Sequence, residues 1–564
     1  MILFISDFGF DKSKVIQKEF NLYYFVVIGL GVLSTIMRYV ERSKEIKKTV
    51  VVFDVITILI TLTILYTHFL GVKAHRYISF LSNDNWVKFA IIITFIREFS
   101  ELKISYKKTL LNPAQLFIIS FFSIIILGSL LLMLPKATHD GISFLNALFT
   151  STSAVCVTGL IVVDTGSYFT TFGQFIILFL IQAGGIGILT VASYFSYFFK
   201  GVASYENQLT LSDMTGSKEI GKVFSTLKYI LLITFLIEFL AAVLIFFSLD
   251  ENMFHSFSER AFFSIFHSIS AFCNAGFSTL PNNLYETGFR YNYFFQSIII
   301  GSLVLGGLGF PIVANLVKYF KYFFTQKLFY LRGKKQTHKP WVLNINSRIT
   351  LATTLSLIFF GTLFIFINEY HNTLAEHKGI GKFITALFEA TTPRTAGFNT
   401  VDMASLHFST IMMIFLLMWI GASPASTGGG IKTNTFAIAV LNFISLAKGK
   451  TKIEVFRREI SEVSVRRAFA VISLSLIVIG LGIIFVSAFD SDKKLLDIAF
   501  ECFSAYSTVG LSLGITAKLS AYSKIVIIAI MFIGRVSMLT LLIALFKKVK
   551  QNNYKYPVEE ITIN

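Results

Sequence analysis

Charge is scarce in this sequence. Asp, Glu, Lys and Arg together make up only 15% of the 564 residues, whereas 54% are hydrophobic. A soluble domain of this length could not hide so much apolar surface in one core, so a soluble fold is excluded. The apolar runs Ala114–Leu134, Thr226–Leu249 and Ser464–Phe489 each reach the roughly 20 residues that cross a bilayer. The chain is therefore predicted to be a polytopic membrane protein.

Acidic residues are especially few, since 32 Asp and Glu stand against 50 Lys and Arg, and the formal net charge is +18. In a soluble protein this balance would suggest nucleic acid as a partner. Here the basic residues lie between apolar runs, so we predict no nucleic-acid partner. The connection from Lys318 to Arg348 holds eight basic residues and no acidic one. By the positive-inside rule it is cytoplasmic, together with Lys448–Arg467 and the basic tail, which predicts a multi-pass protein of the cytoplasmic membrane.

Cysteine and histidine are also scarce. The three cysteines, Cys156, Cys273 and Cys502, form no CxxC pair and no disulfide framework. We expect Cys156 and Cys273 to be small packing residues. Nine histidines provide no HExxH or comparable ligand set, so neither an enzyme nor a covalent cofactor is predicted. The first residues, MILFISDFGFDKSK, lack a basic start and a cleavage pattern, so no removable signal peptide is expected.

One short motif, in contrast, occurs four times. Aligned on a glycine, the copies are LFTSTSAVCVTGL, IFHSISAFCNAGF, LFEATTPRTAGF and AFECFSAYSTVGL. Their glycines are Gly159, Gly276, Gly397 and Gly510, which recur roughly every 117 residues. In each copy a phenylalanine opens a stretch of roughly ten residues, which is too short to span a bilayer and is typical of a re-entrant half-helix. The predicted fold is an all-α polytopic membrane protein with four pseudo-symmetric helix, pore-loop and helix repeats around a central pore, preceded by extra N-terminal transmembrane helices.

Four irregular turns at membrane depth indicate a pore, because such turns survive only where they are packed in protein or line a watery cavity. Glycine at the turn allows positive φ, so that successive carbonyls can point to one side. Converging half-helices also aim their negative C-terminal ends at the centre, which favours a cation. Rings of backbone carbonyls are known to hold dehydrated alkali cations.

Three groups of residues resemble the Trk/Ktr/HKT superfamily of potassium transporters, in particular its membrane-spanning TrkH/KtrB-type subunit. The first group is the four turns at the motif glycines, called elbows below, notably CVTGL with VVDTG and TPRTAGFNTVD. The second is the segment GASPASTGGGIKTNT at 421–435, and the third is IGRVSMLTL at 533–541. The resemblance covers roughly residues 112–548. It implies that backbone carbonyls of twelve residues form a selectivity filter for K⁺, with Na⁺ left open as a second ion: Val157, Thr158, Gly159, Asn274, Ala275, Gly276, Thr395, Ala396, Gly397, Thr508, Val509 and Gly510.

The segment GASPASTGGG is expected to leave the helical conformation in mid-membrane, because Pro costs about 3 kcal/mol and each Gly about 1 kcal/mol relative to Ala in a helix. In the resembled family this loop is the gate, and an arginine of the last helix helps to hold it. The corresponding gate residues are Gly421, Gly428, Gly429, Gly430 and Arg535. A phosphate-binding loop is disfavoured, because Ile431 separates Gly430 from Lys432. The resemblance further implies a homodimer in the membrane lipid and a separate cytosolic regulatory partner, a ring of nucleotide-binding RCK-type subunits on the basic face.

Several charged residues near the elbows have a predicted role. Glu389 and Glu501 are expected to begin half-helices and to stabilise the N-terminal dipole. Arg394 is expected to back its filter loop and to bond to carbonyls or a carboxylate. For Asp164 and Asp402, attraction of cations to the pore mouth and simple solvation in a loop are equally good predictions.

We predict six segments along the chain. They are an N-terminal extension with two or three transmembrane helices at 1–111, repeat 1 at 112–200, repeat 2 at 201–322, repeat 3 at 323–447, repeat 4 at 448–549 and a cytoplasmic tail at 550–564. Three helices are favoured in the extension, because basic residues after the first and third helices then both lie inside.

Other classes of transport protein are less well supported. An ion-coupled secondary transporter of a small solute stays as the alternative, but it should carry acidic or His pairs on mid-membrane helices. Such pairs are scarce, since Asp54 lies in the extension and Glu238 is expected to be isolated. A four-repeat voltage-gated channel would need an acidic filter ring and Arg-rich sensor helices, and neither is visible.

Overall fold

The computed structural model describes residues 6–7, 9–10, 14–42, 48–69, 84–101, 113–187, 223–331 and 342–546. Several predictions lie outside these residues: the basic tail, the four basic residues of the connection that lie at 332–341, and the segment boundaries near 111, 200 and 549. The boundary predicted at 322 lies within a continuous helix, Phe310–Leu331, and the boundary at 447 coincides with the end of another, Thr433–Ala447.

The N-terminal extension contains three helices among its described residues, α1 (Lys14–Arg42), α2 (Lys48–Phe69) and α3 (Asp84–Glu101). They share a small apolar core that includes Tyr24, Ile28 and Ile64. An ion pair lies inside this unit, where Arg97 donates to both carboxylate oxygens of Asp54 at 2.7 and 3.1 Å. An ion pair in an apolar bundle is tolerated when the two charges satisfy each other, which explains how Asp54 is accommodated.

Four helical units follow, each with a first helix, a short half-helix and a second helix. Repeat 1 has α4 (Pro113–Leu132), half-helix α5 (Phe144–Val155) and α6 (Thr171–Ile186). Repeat 2 has α7 (Val223–Ser248), half-helix α8 (Phe257–Cys273), α9 (Tyr293–Leu308) and α10 (Phe310–Leu331), with a short helix at Thr287–Arg290. Repeat 3 has α11 (Ile345–Glu369), half-helix α12 (Ile380–Thr391), α13 (Phe408–Trp419) and α14 (Thr433–Ala447). Repeat 4 has α15 (Glu462–Phe489), half-helix α16 (Leu495–Ser507), α17 (Ala521–Val536) and α18 (Met538–Leu545).

The second helix ends or breaks at a comparable place in every repeat. In repeat 2 the chain bends by 107° at Gly309, and in repeat 4 it bends by 85° at Ser537. In repeat 1 helix α6 ends at Ile186, just before Gly187, where φ is +84°, and in repeat 3 the gap between α13 and α14 is the predicted loop. The apolar segment Lys524–Phe546 is therefore not one continuous helix, since a positive φ of +74° at Ser537 divides it.

Helix packing closes the four repeats into a ring. The second helix of each repeat packs against the half-helix of the next repeat, in the pairs α6 with α8, α9 with α12, α13 with α16 and α17 with α5. The last pair joins repeat 4 to repeat 1, so the arrangement has no open end. Among the described residues, five helices are long and apolar enough to span a membrane, or up to seven if each bent pair is one span.

The stretch between α14 and α15 carries a short antiparallel hairpin. Its strands are β1 (Glu454–Val455) and β2 (Arg458–Glu459), and Phe456 and Arg457 at the turn both have positive φ. This hairpin lies in the basic segment that the charge pattern places on the cytoplasmic side.

Candidate functional site

The four motif glycines meet at the centre of the ring. A β-carbon on any one of them would collide with the backbone carbonyl of the next repeat. The distance from this added β-carbon to the carbonyl oxygen would be 2.5 Å for Gly159 and Ala275, 2.8 Å for Gly276 and Ala396, 2.2 Å for Gly397 and Val509, and 2.2 Å for Gly510 and Thr158. Because these contacts run from repeat 1 to 2, 3, 4 and back to 1, they form a closed ring of backbone.

The residue two positions before each glycine has a left-handed backbone. The φ values are +57° for Val157, +59° for Asn274, +72° for Thr395 and +51° for Thr508. Three of these residues are β-branched, for which positive φ is a real outlier with a typical cost of about 1–3 kcal/mol. The glycines also have positive φ, from +69° to +92°. Backbone strain is therefore concentrated at the same place in all four repeats, as expected of a functional site.

A hydroxyl residue braces each elbow, which the sequence analysis missed. Ser153 and Ser504 each accept a hydrogen bond, at 3.0 Å, from the N–H of the motif glycine six residues later. Ser270 donates to the carbonyl of Phe277 at 2.7 Å, and Thr392 donates to the carbonyl of Phe398. The signal was present in the aligned motifs as a Ser or Thr near the middle of every copy.

The glycine-rich loop between α13 and α14 lies against the ring on the side where the half-helices end. The N–H of Gly429 donates to Thr508 Oγ1 at 2.9 Å, and Thr427 Oγ1 lies 3.4 Å from the carbonyl oxygen of Phe272. A β-carbon on Gly428 would lie 2.0 Å from Thr395 Oγ1. The loop thus contacts repeats 2, 3 and 4 directly, and its glycines are required by the close approach.

Two cations hold this loop. Arg535, in the last turn of α17, donates to the carbonyls of Thr427 in the loop and of Gly184 in repeat 1. Lys432 donates to the carbonyl of Gly428 at 2.6 Å. This role of Lys432 was not predicted, although a lysine within an apolar segment could have indicated a buried role.

The expected helix-capping role of Glu389 and Glu501 was wrong. Helix α12 begins at Ile380 and α16 at Leu495, so both carboxyls lie well inside their half-helices, where the N-terminal dipole is weak. Both side chains are buried behind the ring, with 1% and 0% exposure. Glu389 Oε1 accepts from Thr400 Oγ1 at 2.9 Å, and Glu501 Oε1 accepts from Thr516 Oγ1 at 2.9 Å.

Two other charged groups, Arg394 and Glu238, differ in part from expectation. Arg394 is buried behind its elbow as predicted, but it donates to the hydroxyl of Thr354, 3.4 Å away, rather than to the expected carbonyl or carboxylate. Glu238 is not isolated, since Gln182 of repeat 1 donates to both of its oxygens at 3.1 and 3.0 Å. Asp164 accepts from Ser167 within its own loop.

The fold and the ring define a multi-pass membrane protein of four repeats closed around one axis. A family model for TrkH, described as a cation transport protein, matches residues 83–556. The chain belongs to the TrkH family of cation transport proteins. The predicted family and the all-α polytopic fold are confirmed. The protein is accordingly a multi-pass transporter of the cytoplasmic membrane and not an enzyme.

The similarity to known proteins extends over most of this chain. Ktr system potassium uptake protein B of Bacillus subtilis is 37% identical over 452 residues, which cover 80% of this chain and 96% of the relative. Potassium/sodium uptake protein NtpJ of Enterococcus hirae is 33% identical over 461 residues, covering 80% and 97%. The crystal structure of the potassium transporter TrkH from Vibrio parahaemolyticus has a TM-score of 0.62 and 19% identity, and covers 87% of this chain and 98% of that one. At this identity it supports the fold alone.

Proposed function

We propose that this protein takes up potassium across the cytoplasmic membrane, with backbone carbonyls of the ring as its selectivity filter. The proposal rests on the closed ring of backbone contacts between neighbouring repeats at Gly159, Gly276, Gly397 and Gly510. The half-helices end at this ring, so their partial negative charge favours a cation at the axis. The names of the relatives support potassium as the substrate, and the name of NtpJ supports sodium as a second ion.

In this proposal the loop that contains Gly421, Gly428, Gly429 and Gly430 is the gate. Its contacts with Thr395 and Thr508 place it directly on one side of the ring. Arg535 holds the loop through the carbonyl of Thr427 and adds a positive charge on the ion path. A cation leaving the ring would therefore require the loop to move.

We further propose that the transporter works as a homodimer in the lipid membrane under the control of a separate cytosolic RCK-type subunit. The segment 448–467 holds seven Lys or Arg residues against three Glu, and this net positive charge supports such a partner even though Lys450 and Lys452 pair with glutamates of the hairpin. The Bacillus relative is named as a protein of the Ktr system, which is consistent with more than one component.

The test is ion uptake by a bacterium that lacks its own potassium uptake systems and expresses this chain. We expect saturable K⁺ uptake and growth at low external K⁺, with slower Na⁺ uptake at equal concentration. The control is the same strain without the chain. Absence of K⁺ uptake from membrane-inserted protein would contradict the proposal, and ion-dependent accumulation of an organic solute would favour the secondary-transporter alternative.

A further inference from the structure

In three of the four repeats a side chain of the half-helix is hydrogen-bonded to the segment that leaves the ring, and this contact is called a bridge below. The side chain belongs to the residue that follows the motif phenylalanine. The four phenylalanines, Phe149, Phe266, Phe388 and Phe500, are fully buried. The residues that follow them differ in chemistry between repeats: they are Thr150, His267, Glu389 and Glu501. In repeats 2, 3 and 4 this side chain contacts a hydroxyl in the segment that leaves the ring.

In repeat 2 the bridge is a histidine, and its two contacts fit the neutral ring. His267 Nδ1 lies 2.9 Å from the carbonyl oxygen of Phe263, to which it donates. Its Nε2 is therefore free to accept from Ser278 Oγ, which lies 2.9 Å away. Ser278 is two residues beyond Gly276, so the bond joins the half-helix to the outgoing segment.

In repeats 3 and 4 the bridge is a carboxyl. Glu389 Oε1 accepts from both the N–H and the hydroxyl of Thr400, at 3.2 and 2.9 Å. Glu501 Oε1 accepts from the hydroxyls of Ser512 and Thr516. Ser512 lies two residues beyond its glycine, which is the position that Ser278 occupies in repeat 2, and Thr400 lies one residue further along, three beyond its glycine.

Repeat 1 lacks the bridge. Thr150 is too short to reach the outgoing segment, and its buried hydroxyl has no hydrogen-bond partner among the residues that the structure describes. The second carboxyl oxygens of Glu389 and Glu501 are likewise buried without a partner in the described part of the chain. Burying such groups is costly, so a structural role alone would be served as well by an apolar residue.

We propose that Glu389 and Glu501 are positioning residues of the ion pathway, which hold the outgoing segments of repeats 3 and 4 at a fixed distance from their half-helices. The proposal rests on the proposed function, because it assigns the residues to the same filter. Each bridge has a partner two or three residues beyond the ring glycine, Thr400 in repeat 3 and Ser512 in repeat 4, so it controls where the ring carbonyls lie. Both accounts of filter selectivity, cavity size and carbonyl field strength, depend on that position. The bridges therefore set the preference for K⁺ over the smaller Na⁺.

The test compares Glu501→Gln with Glu501→Leu in the uptake assay. Glutamine keeps an acceptor oxygen for Ser512 and Thr516, so we expect a K⁺ to Na⁺ rate ratio within about twofold of the parent. Leucine removes the acceptor, and we expect the ratio to fall about tenfold, in line with loss of a buried hydrogen bond. The matched control is Thr150→Val, which removes an unpartnered hydroxyl at the same position of repeat 1 and should leave the ratio unchanged.

A double-mutant cycle identifies the bond itself. The donor variant Ser512→Ala with Thr516→Val should reproduce the loss in selectivity, and adding Glu501→Leu to it should cause little further change. These donor variants also decide the matter if Glu501→Leu does not fold. Equal damage from Gln and Leu, or an unchanged ratio with lower protein amounts, would overturn the proposal. Failure of the parent chain to take up K⁺ would instead overturn the proposed function.

Discussion

Replacement of Gly510 by alanine is expected to abolish K⁺ uptake. The residue has a φ of +91°, and the new β-carbon would lie 2.2 Å from the carbonyl oxygen of Thr158 and 2.9 Å from the Cα of Gly159. Neither neighbour is a flexible side chain, so relief requires the ring to open between repeats 4 and 1. One strained residue costs up to about 3 kcal/mol, which corresponds to about a hundredfold. Because positive φ and the clash act together, we expect uptake to fall at least about a hundredfold. The measurement is K⁺ uptake at low external K⁺, normalised to membrane protein.

Gly301→Ala provides the control for this experiment. Gly301 lies in helix α9, and a β-carbon there would have no neighbour within 4 Å. Alanine is also the better helix former, so this variant should keep parental uptake. Parental uptake by Gly510→Ala would show that the ring does not require close backbone contact at this glycine.

Replacement of Arg535 by alanine is expected to increase cation uptake. The guanidinium donates to the loop carbonyl of Thr427 and to the carbonyl of Gly184, and it links the loop to repeat 1. Hydrogen bonds to charged groups contribute about 1.5–3 kcal/mol each, so their loss should raise the open population, and hence uptake, about tenfold or more. Removal of the positive charge also lowers the electrostatic barrier on the ion path. The measurement is the initial rate of K⁺ uptake without added regulator.

Lys524→Ala is the matched control for Arg535→Ala. Lys524 lies on the same helix, α17, but its ammonium donates to Asn146 of repeat 1 and not to the loop. Loss of this charge should leave the uptake rate near the parental value. An unchanged or lower rate from well-expressed Arg535→Ala would contradict the gate.

The ring could be predicted from the sequence because its requirements are local and repeated. Close backbone approach demands glycine, and Gly159, Gly276, Gly397 and Gly510 satisfy that demand at nearly constant spacing. The loop at 421–435 was predictable for a similar reason, since Pro and consecutive glycines end a helix wherever they occur. Neither inference needed knowledge of distant contacts.

The side chains behind the ring could not be placed in the same way. Glu389 was expected at a helix start, but α12 begins nine residues earlier at Ile380, which the apolar pattern did not reveal. The partner of Glu238 is Gln182, from a different repeat, and only the packing of repeat 1 on repeat 2 brings them together. The break at Ser537 was also missed, because neither Gly nor Pro occupies the position with positive φ.

The most direct test of the account is the position of a transported ion in the protein. Crystals of the chain grown in Rb⁺, a K⁺ substitute with a strong anomalous signal, would locate it. We expect a peak on the axis of the ring, coordinated by the carbonyl oxygens that adjoin Gly159, Gly276, Gly397 and Gly510. A well-occupied peak elsewhere in the membrane region, with none at the ring, would contradict the assignment of the ring as the ion-selective site.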